Sequence, residues 1–190
     1  MLLFNHELIP ELRNKLRSQQ SFLRNNIEFI PLDSLKFKPG KEEWSVLECI
    51  EHLNLQLDWY IPRIRKKIHL RKVKTGDSYS TGFFGDRMVS SMEPDQGEVR
   101  YPMKTFRNFN PSRSPREGKK VIDQFKWYLD ELDKALVDSV DLDLGKIRVR
   151  SAIGSILRFK LGDCYRFILA HNERHLLQCK KALKVLSTYQ

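Results

Sequence analysis

Four stretches of the chain repeat apolar residues with the period of an α-helix, and this pattern constrains the fold more than any other feature. They cover about residues 5–29, 45–70, 115–137 and 163–187. No stretch alternates apolar and polar residues convincingly, as a half-buried strand does. Because each amphipathic helix must bury its apolar stripe against another element, the sequence predicts an all-α fold, a four-helix bundle.

Helix-start signals and prolines refine the limits of these helices. Ser45 and Glu48 match a capping box, in which each side chain accepts a hydrogen bond from a backbone amide of the first turn. This structural role for Glu48 is favoured over a catalytic one. Pro62 lies inside the second helix and predicts a kink or a broken turn. Pro115 suits the first position of the third helix.

The connector at residues 75–114 is rich in Gly, Pro, Ser and Asn, with aromatic residues between them. A connection of this length within a domain is usually functional or poorly ordered, and its aromatic content favours packing on the bundle. We expect it to cross the bundle, so that simple up-and-down helix order is not required. Its part from Tyr79 to Phe109 is our candidate for a pocket lid.

Length and composition indicate a single domain over residues 1–190, with a core that needs no disulfides. The sequence has no run of about 18 uncharged apolar residues, so it does not predict a membrane span. The three cysteines form no CxxC pair, which suggests reduced thiols in the cytoplasm. The N-terminal segment has a His and a Glu too early for the core of a signal peptide.

The net charge of +10 leaves several classes of partner open. The densest basic cluster covers residues 62–74, and a looser one runs from Arg107 to Lys120. Nucleic-acid binding is an alternative function, as is docking of a protein partner. No known nucleic-acid-reading module accompanies the charge, so we do not favour the former.

His171 and His175 carry the strongest chemical signal in the sequence. Their spacing places both imidazoles on one helix face, one turn apart, on the stripe predicted to be buried. Burying two unpartnered imidazoles is costly, whereas a metal ion would use both. A structural, hydrogen-bonded role is the competing explanation. Glu173 points away from this face, and Asn172 occupies the place of the Glu in a HExxH protease motif.

His52, on the flank of the second helix, is the natural third ligand. His6 and His69 are expected at the surface. Gln56 and Gln178 are placed to contact the ligands by hydrogen bonds, although ordinary polar positions explain both.

Two segments resemble a known family. The run from Trp44 to Leu53, WSVLECIEHL, resembles the W-S-x-x-E-x-x-x-H-L opening of the second helix in DinB/YfiT-like proteins. The run from His171 to Gln178, HNERHLLQ, resembles their H-x-x-x-H-L-x-Q signature. The likeness extends over most of the chain, from about residue 8 to 187.

This resemblance implies a four-helix bundle that holds a divalent metal, commonly nickel or zinc, through His52, His171 and His175. Some members of that family are thiol-dependent S-transferases or isomerases, and others are described as metal-dependent hydrolases. We therefore expect an enzyme in which the ion activates water or a low-molecular-weight thiol, acting on a small molecule. We also expect a homodimer. No further catalytic residue is identified.

Overall fold

Six α-helices, two 3-10 turns and two small antiparallel strand pairs are the regular elements of the described residues. This computed structural model describes residues 1–70, 77–95, 97–99, 104–114, 116–152, 154 and 156–188. The helices are α1 (Asn5–Asn26), α2 (Leu32–Leu35), α3 (Val46–His69), α4 (Phe83–Met92), α5 (Lys119–Val137) and α6 (Leu161–Leu186). The strands are β1 (Leu2–Phe4), β2 (Ser78–Ser80), β3 (Arg148–Arg150) and β4 (Arg158–Lys160).

The four long helices form the predicted bundle, and the all-α class is confirmed. Both α1 and α3 pack against α5 and α6, so α1 and α3 lie diagonally opposite each other. Each long helix contributes fully buried side chains to the shared core, among them Leu16, Leu53, Leu132 and Ile168. None of the described helices combines the length and the hydropathy that a membrane crossing needs.

The start of α3 has the capping geometry that the sequence predicts. The Glu48 amide donates to Oγ of Ser45 at 3.2 Å, and the Ser45 amide donates to Oε2 of Glu48 at 2.9 Å. The helix then continues through Pro62 to His69, so a broken turn does not occur there. α3 is therefore one continuous helix that carries both the cap and His52.

The two strand pairs are a departure from the sequence analysis, which found no convincing strand. β1 pairs with β2, which ties the first residues of the chain to the long connector, and β3 pairs with β4. Each strand has three residues, too few for an alternating pattern to be visible. The connector also contains α4, which packs on α6.

Helix ends differ from the predicted limits by a few residues. α1 ends at Asn26, where the sequence predicted helix to about residue 29. α5 begins at Lys119 after Gly118, which has a φ of 58°, and not near residue 115. Pro115 lies outside the described residues. α6 begins at Leu161, directly after β4.

Candidate metal centre

Three histidines meet inside the bundle. His52 projects from α3, and His171 and His175 project from adjacent turns of α6. One ring nitrogen of each lies within 4.8 Å of the others, and all three residues are buried. Nε2 of His52 lies 3.3 Å from Nε2 of His171. The structure thus brings together the three residues that the sequence selected, although 119 positions separate the first two.

Hydrogen bonds on the far side of two rings fix where their protons lie. Nδ1 of His52 is 2.7 Å from the carbonyl oxygen of Phe109, and Nδ1 of His175 is 2.6 Å from Oε1 of Gln178. Both oxygens accept, so each Nδ1 carries the proton and each Nε2 keeps its lone pair. The lone pairs of His52 and His175 are therefore available at the cluster.

His171 differs from the other two histidines. Since Nε2 of His52 has no proton, the contact between the two Nε2 atoms is a hydrogen bond when His171 is protonated on Nε2. When His171 is protonated on Nδ1 instead, two lone pairs face each other, as they do around a shared ion. Nδ1 of His171 is buried and has no hydrogen-bond partner among the described residues. A buried nitrogen with an unused lone pair is unfavourable, and His171 is consequently the ring with the least fixed proton position.

Burial favours the uncharged form of all three histidines. Burial lowers the pKa of His52, an effect that the Phe109 carbonyl partly opposes. Burial also lowers the pKa of His171 well below its ordinary value, and repulsion from His175, His52 and Arg174 adds to this. The pKa of His175 is lowered well below its ordinary value mainly by burial. Neutral imidazole is the form that binds a metal ion.

The two glutamines noted in the sequence have different surroundings. Gln178 contacts His175 and also lies 4.0 Å from Sγ of Cys49. Gln56 is buried and lines the same cavity, but its Oε1 has no hydrogen-bond partner in the part of the chain that the structure describes. Only Gln178 therefore orients a histidine of the cluster.

The other candidate residues lie away from the cluster. His6, His69 and Glu173 are exposed, as the sequence predicts. Glu48 caps α3 and forms an ion pair with Lys38 at 2.8 Å. No carboxylate therefore stands in for a fourth ligand or a general base among these residues.

A cavity of about 910 Å³ opens beside the histidines. Its wall includes Trp44, Phe106, Phe109, Phe167 and Arg174. The volume is of the size that holds a small organic molecule. Of the predicted lid, Phe106 and Phe109 line this cavity, whereas Tyr79 is buried against α6 at Gly162 and Asp163. Tyr101 is outside the described residues.

Sequence reasoning missed three features of the site. The ring of Trp44 lies 5.0 Å from that of His52 and stacks on that of His175 at 5.9 Å. Arg174 is buried in the cavity wall. Its place on α6 between His171 and His175, which were both predicted to face inward, could have indicated this. The Phe109 carbonyl has no signature in sequence, because any residue supplies one.

Comparison with known proteins agrees with this architecture. The model of the DinB superfamily matches residues 15–179, a range that includes all three histidines. No curated protein and no solved structure matches the chain at a significant level. The family match covers most of the chain, as the resemblance of the two histidine motifs predicts. The chain belongs to the DinB superfamily.

Proposed function

We propose that His52, His171 and His175 bind one divalent metal ion in the catalytic site of an enzyme that acts on a small molecule. The observation that carries this proposal is the meeting of three buried, neutral imidazoles within 4.8 Å. Burying three imidazoles is costly unless their nitrogens have partners. A shared ion would provide that partner for the ring nitrogens that face one another in the cluster.

The donor set indicates the kind of ion and of site. Neutral imidazole suits zinc and nickel, which are our candidates for the native metal. Three protein ligands without a carboxylate leave a position for an exogenous ligand, which is typical of catalytic and not of structural sites. When bound, such an ion acts as a Lewis acid and makes water or a thiol a nucleophile near neutral pH.

The residues around the histidines supply orientation and selection. Phe109 and Gln178 hold two of the rings by hydrogen bonds. The aromatic wall shields the cluster from bulk water, which strengthens electrostatic interactions within it. The cavity is lined by Arg174 and also by Glu42, Glu43 and Glu98. It is the positive charge of Arg174, however, that lies close enough to His171 and His175 to lower their pKa values. We therefore propose that the substrate or co-substrate is anionic, such as an acidic low-molecular-weight thiol, used for transfer or hydrolysis.

The alternative of a basic bundle that binds nucleic acid or a protein partner stays a prediction, and two arginines of its denser cluster have partners within the chain. Arg63 lies over the Trp59 ring at 3.6 Å, and Arg65 forms an ion pair with Asp138 at 2.6 Å. Residues 71–74 of the basic cluster lie outside the described part. Homodimerisation and a cytoplasmic location stay predictions.

Elemental analysis of protein purified without an affinity tag tests the proposal. We expect about one divalent ion per chain in the wild type. His52→Ala, His171→Ala and His175→Ala should each lower occupancy strongly, and the exposed His6→Ala and His69→Ala should not. Full occupancy in the His52→Ala variant, or a folded wild type that binds no divalent ion, would contradict the proposal. A screen of thiol consumption with electrophiles then separates transfer from hydrolysis.

A further inference from the structure

A buried polar network lies one residue before His52. Glu51 is 3% exposed, and its Oε1 accepts hydrogen bonds from Nη1 of Arg116 at 3.0 Å and from the hydroxyl of Ser114. Its Oε2 accepts from Nδ2 of Asn54 at 2.9 Å. Each carboxylate oxygen therefore has a donor, which is what a buried charge requires.

Arg116 extends this network to a second carboxylate of α3. Its Nη2 lies 2.5 Å from Oδ2 of Asp58, two helical turns beyond Glu51. One guanidinium thus bridges two points on α3, and the rigid fork of donors in arginine fixes its direction as well as its distance. The chain entering α5 is held against α3 at this place.

The segment held by this network is the one that contacts His52. It consists of two 3-10 turns, Arg107–Phe109 and Pro111–Arg113, which both pack on α3. Oδ1 of Asn110 accepts from the Ser112 amide at 3.0 Å and joins the two turns. Only four residues separate the Phe109 carbonyl from Ser114, so the network restricts where that carbonyl can lie.

The main effect of this network is to place the two 3-10 turns, and its contribution to the free energy of unfolding is small. A buried ion pair contributes little net free energy of unfolding, because desolvation offsets the attraction between the charges. Its geometric effect is large, since it determines which part of the segment faces α3. The part that faces α3 at His52 is a carbonyl, and a carbonyl accepts only from a protonated Nδ1.

We propose that Glu51 and Arg116 are positioning residues for His52. They hold the two 3-10 turns so that the Phe109 carbonyl keeps the proton of His52 on Nδ1 and leaves Nε2 unprotonated toward His171 and His175. The tautomer of His52 is a property of the metal-free protein. Only the effect on metal affinity rests on the proposed function.

NMR of the ring nitrogens in metal-free protein tests the tautomer directly. In the wild type we expect the ¹⁵N shifts of His52 to report a proton on Nδ1. Arg116→Met should give a mixture of tautomers. The control is Arg13→Met, which removes another arginine–carboxylate pair between two long helices, that of Arg13 on α1 with Asp133 on α5 at 2.7 Å. It should leave the shifts unchanged. Wild-type shifts in Arg116→Met would overturn the proposal.

Metal affinity provides the second measurement. Loss of a group that orients a ligating histidine typically weakens metal binding by about 10- to 100-fold. We expect a loss in this range for Arg116→Met and Glu51→Gln, partial recovery in Arg116→Lys, and wild-type affinity in Arg13→Met. If Arg116→Met and Glu51→Gln bind metal as tightly as the Arg13→Met control, the proposal is overturned. Should Arg116→Met fail to fold, Ser114→Ala is measured in the same way; it removes the hydroxyl bond to Glu51 and the acceptor of the Arg116 amide, but keeps the guanidinium.

The two measurements separate failure of this inference from failure of the proposed function. A wild type that binds no metal contradicts the metal site, but the NMR comparison in metal-free protein still decides the positioning role. If the wild type binds metal but Arg116→Met leaves the His52 shifts unaltered, the metal site stands and the positioning role of the network is rejected.

Discussion

Nδ1 of His175 lies 2.6 Å from Oε1 of Gln178, three residues further along α6. Residues at this spacing lie on the same helix face, so the amide is supplied by the same element as the imidazole. The helix alone therefore brings the two side chains within reach of each other. Gln56, which also lines the cavity, makes no such bond among the described residues.

We predict that Gln178→Ala weakens metal binding by about 10-fold, because the His175 ring loses the acceptor that fixes its proton on Nδ1. Gln56→Ala is the matched control and should keep wild-type affinity. A competition titration against a chromophoric chelator measures both variants. Equal losses in the two variants would contradict the role assigned to Gln178.

Acid should destabilise the metal-free protein through His171 and His175. Their pKa values are lowered in the folded chain, whereas an unfolded histidine has a pKa of about 6.5. Below that pH the unfolded chain binds protons that the folded chain does not. Stability is therefore fully present above pH ~6.5 and falls on acidification, with a slope approaching about 1.4 kcal/mol per pH unit for each histidine.

Urea denaturation at several pH values between 7.5 and 5.5 measures this slope. The variant His171→Gln/His175→Gln lacks both groups and should lose less stability over the same range. All other titrating residues are common to the two proteins, so their contribution cancels in the comparison, except that of His52, which contacts both substituted residues. Parallel curves would show that the buried histidines do not account for the acid sensitivity.

Gly162→Ala should destabilise the fold, against the usual trend. Alanine normally stabilises a helix by about 1 kcal/mol relative to glycine. Here the added Cβ would lie 2.3 Å from Cζ of Tyr79, a buried ring whose hydroxyl is 3.4 Å from Asp163. We expect a net loss of about 1–3 kcal/mol in the free energy of unfolding.

A double-mutant cycle checks the cause of that loss. In a Tyr79→Ala background the obstructing ring is absent, so Gly162→Ala should become neutral or stabilising. A loss of the same size in both backgrounds would mean that the contact with Tyr79 is not responsible.

Trp44 should report metal binding by fluorescence. Its ring lies 5.0 Å from His52 and 5.9 Å from His175, close enough for a nickel ion on these residues to quench its emission. In the Trp59→Phe/Trp127→Phe background we expect a decrease that ends at one equivalent of nickel. Trp127 is half-exposed on α5 and serves as the control in Trp44→Phe/Trp59→Phe. Similar quenching of both tryptophans would indicate non-specific binding.

The helices of this fold were predictable because their apolar stripes are long. Leu8, Leu12, Leu16 and Leu23 repeat on one face of α1, and all four are buried. The ends were less accurate, since they depend on single residues such as Gly118 and not on a repeated pattern. The strands were missed because three residues carry too little periodicity to be recognised.

The three histidines were predictable for a different reason. The chain has five histidines, and those at positions 6 and 69 fall on predicted surface positions, as the structure confirms. Helical spacing then pairs His171 with His175. What orients His52 could not be predicted, because it is a backbone carbonyl in a connector without periodicity. Its position depends on Glu51 and Arg116, which are 65 residues apart.

Phe109 has two roles, because its carbonyl oxygen contacts His52 and the residue also lines the cavity. A molecule that binds in the cavity would therefore contact the same 3-10 turn whose carbonyl orients His52. Thermodynamic linkage makes such a coupling reciprocal. A substrate that tightens the segment would raise affinity for the ion, and the ion would raise affinity for that substrate by the same factor. A substrate that binds tightly would then also slow the loss of the metal, and a substrate that does not tighten the segment would have no such effect.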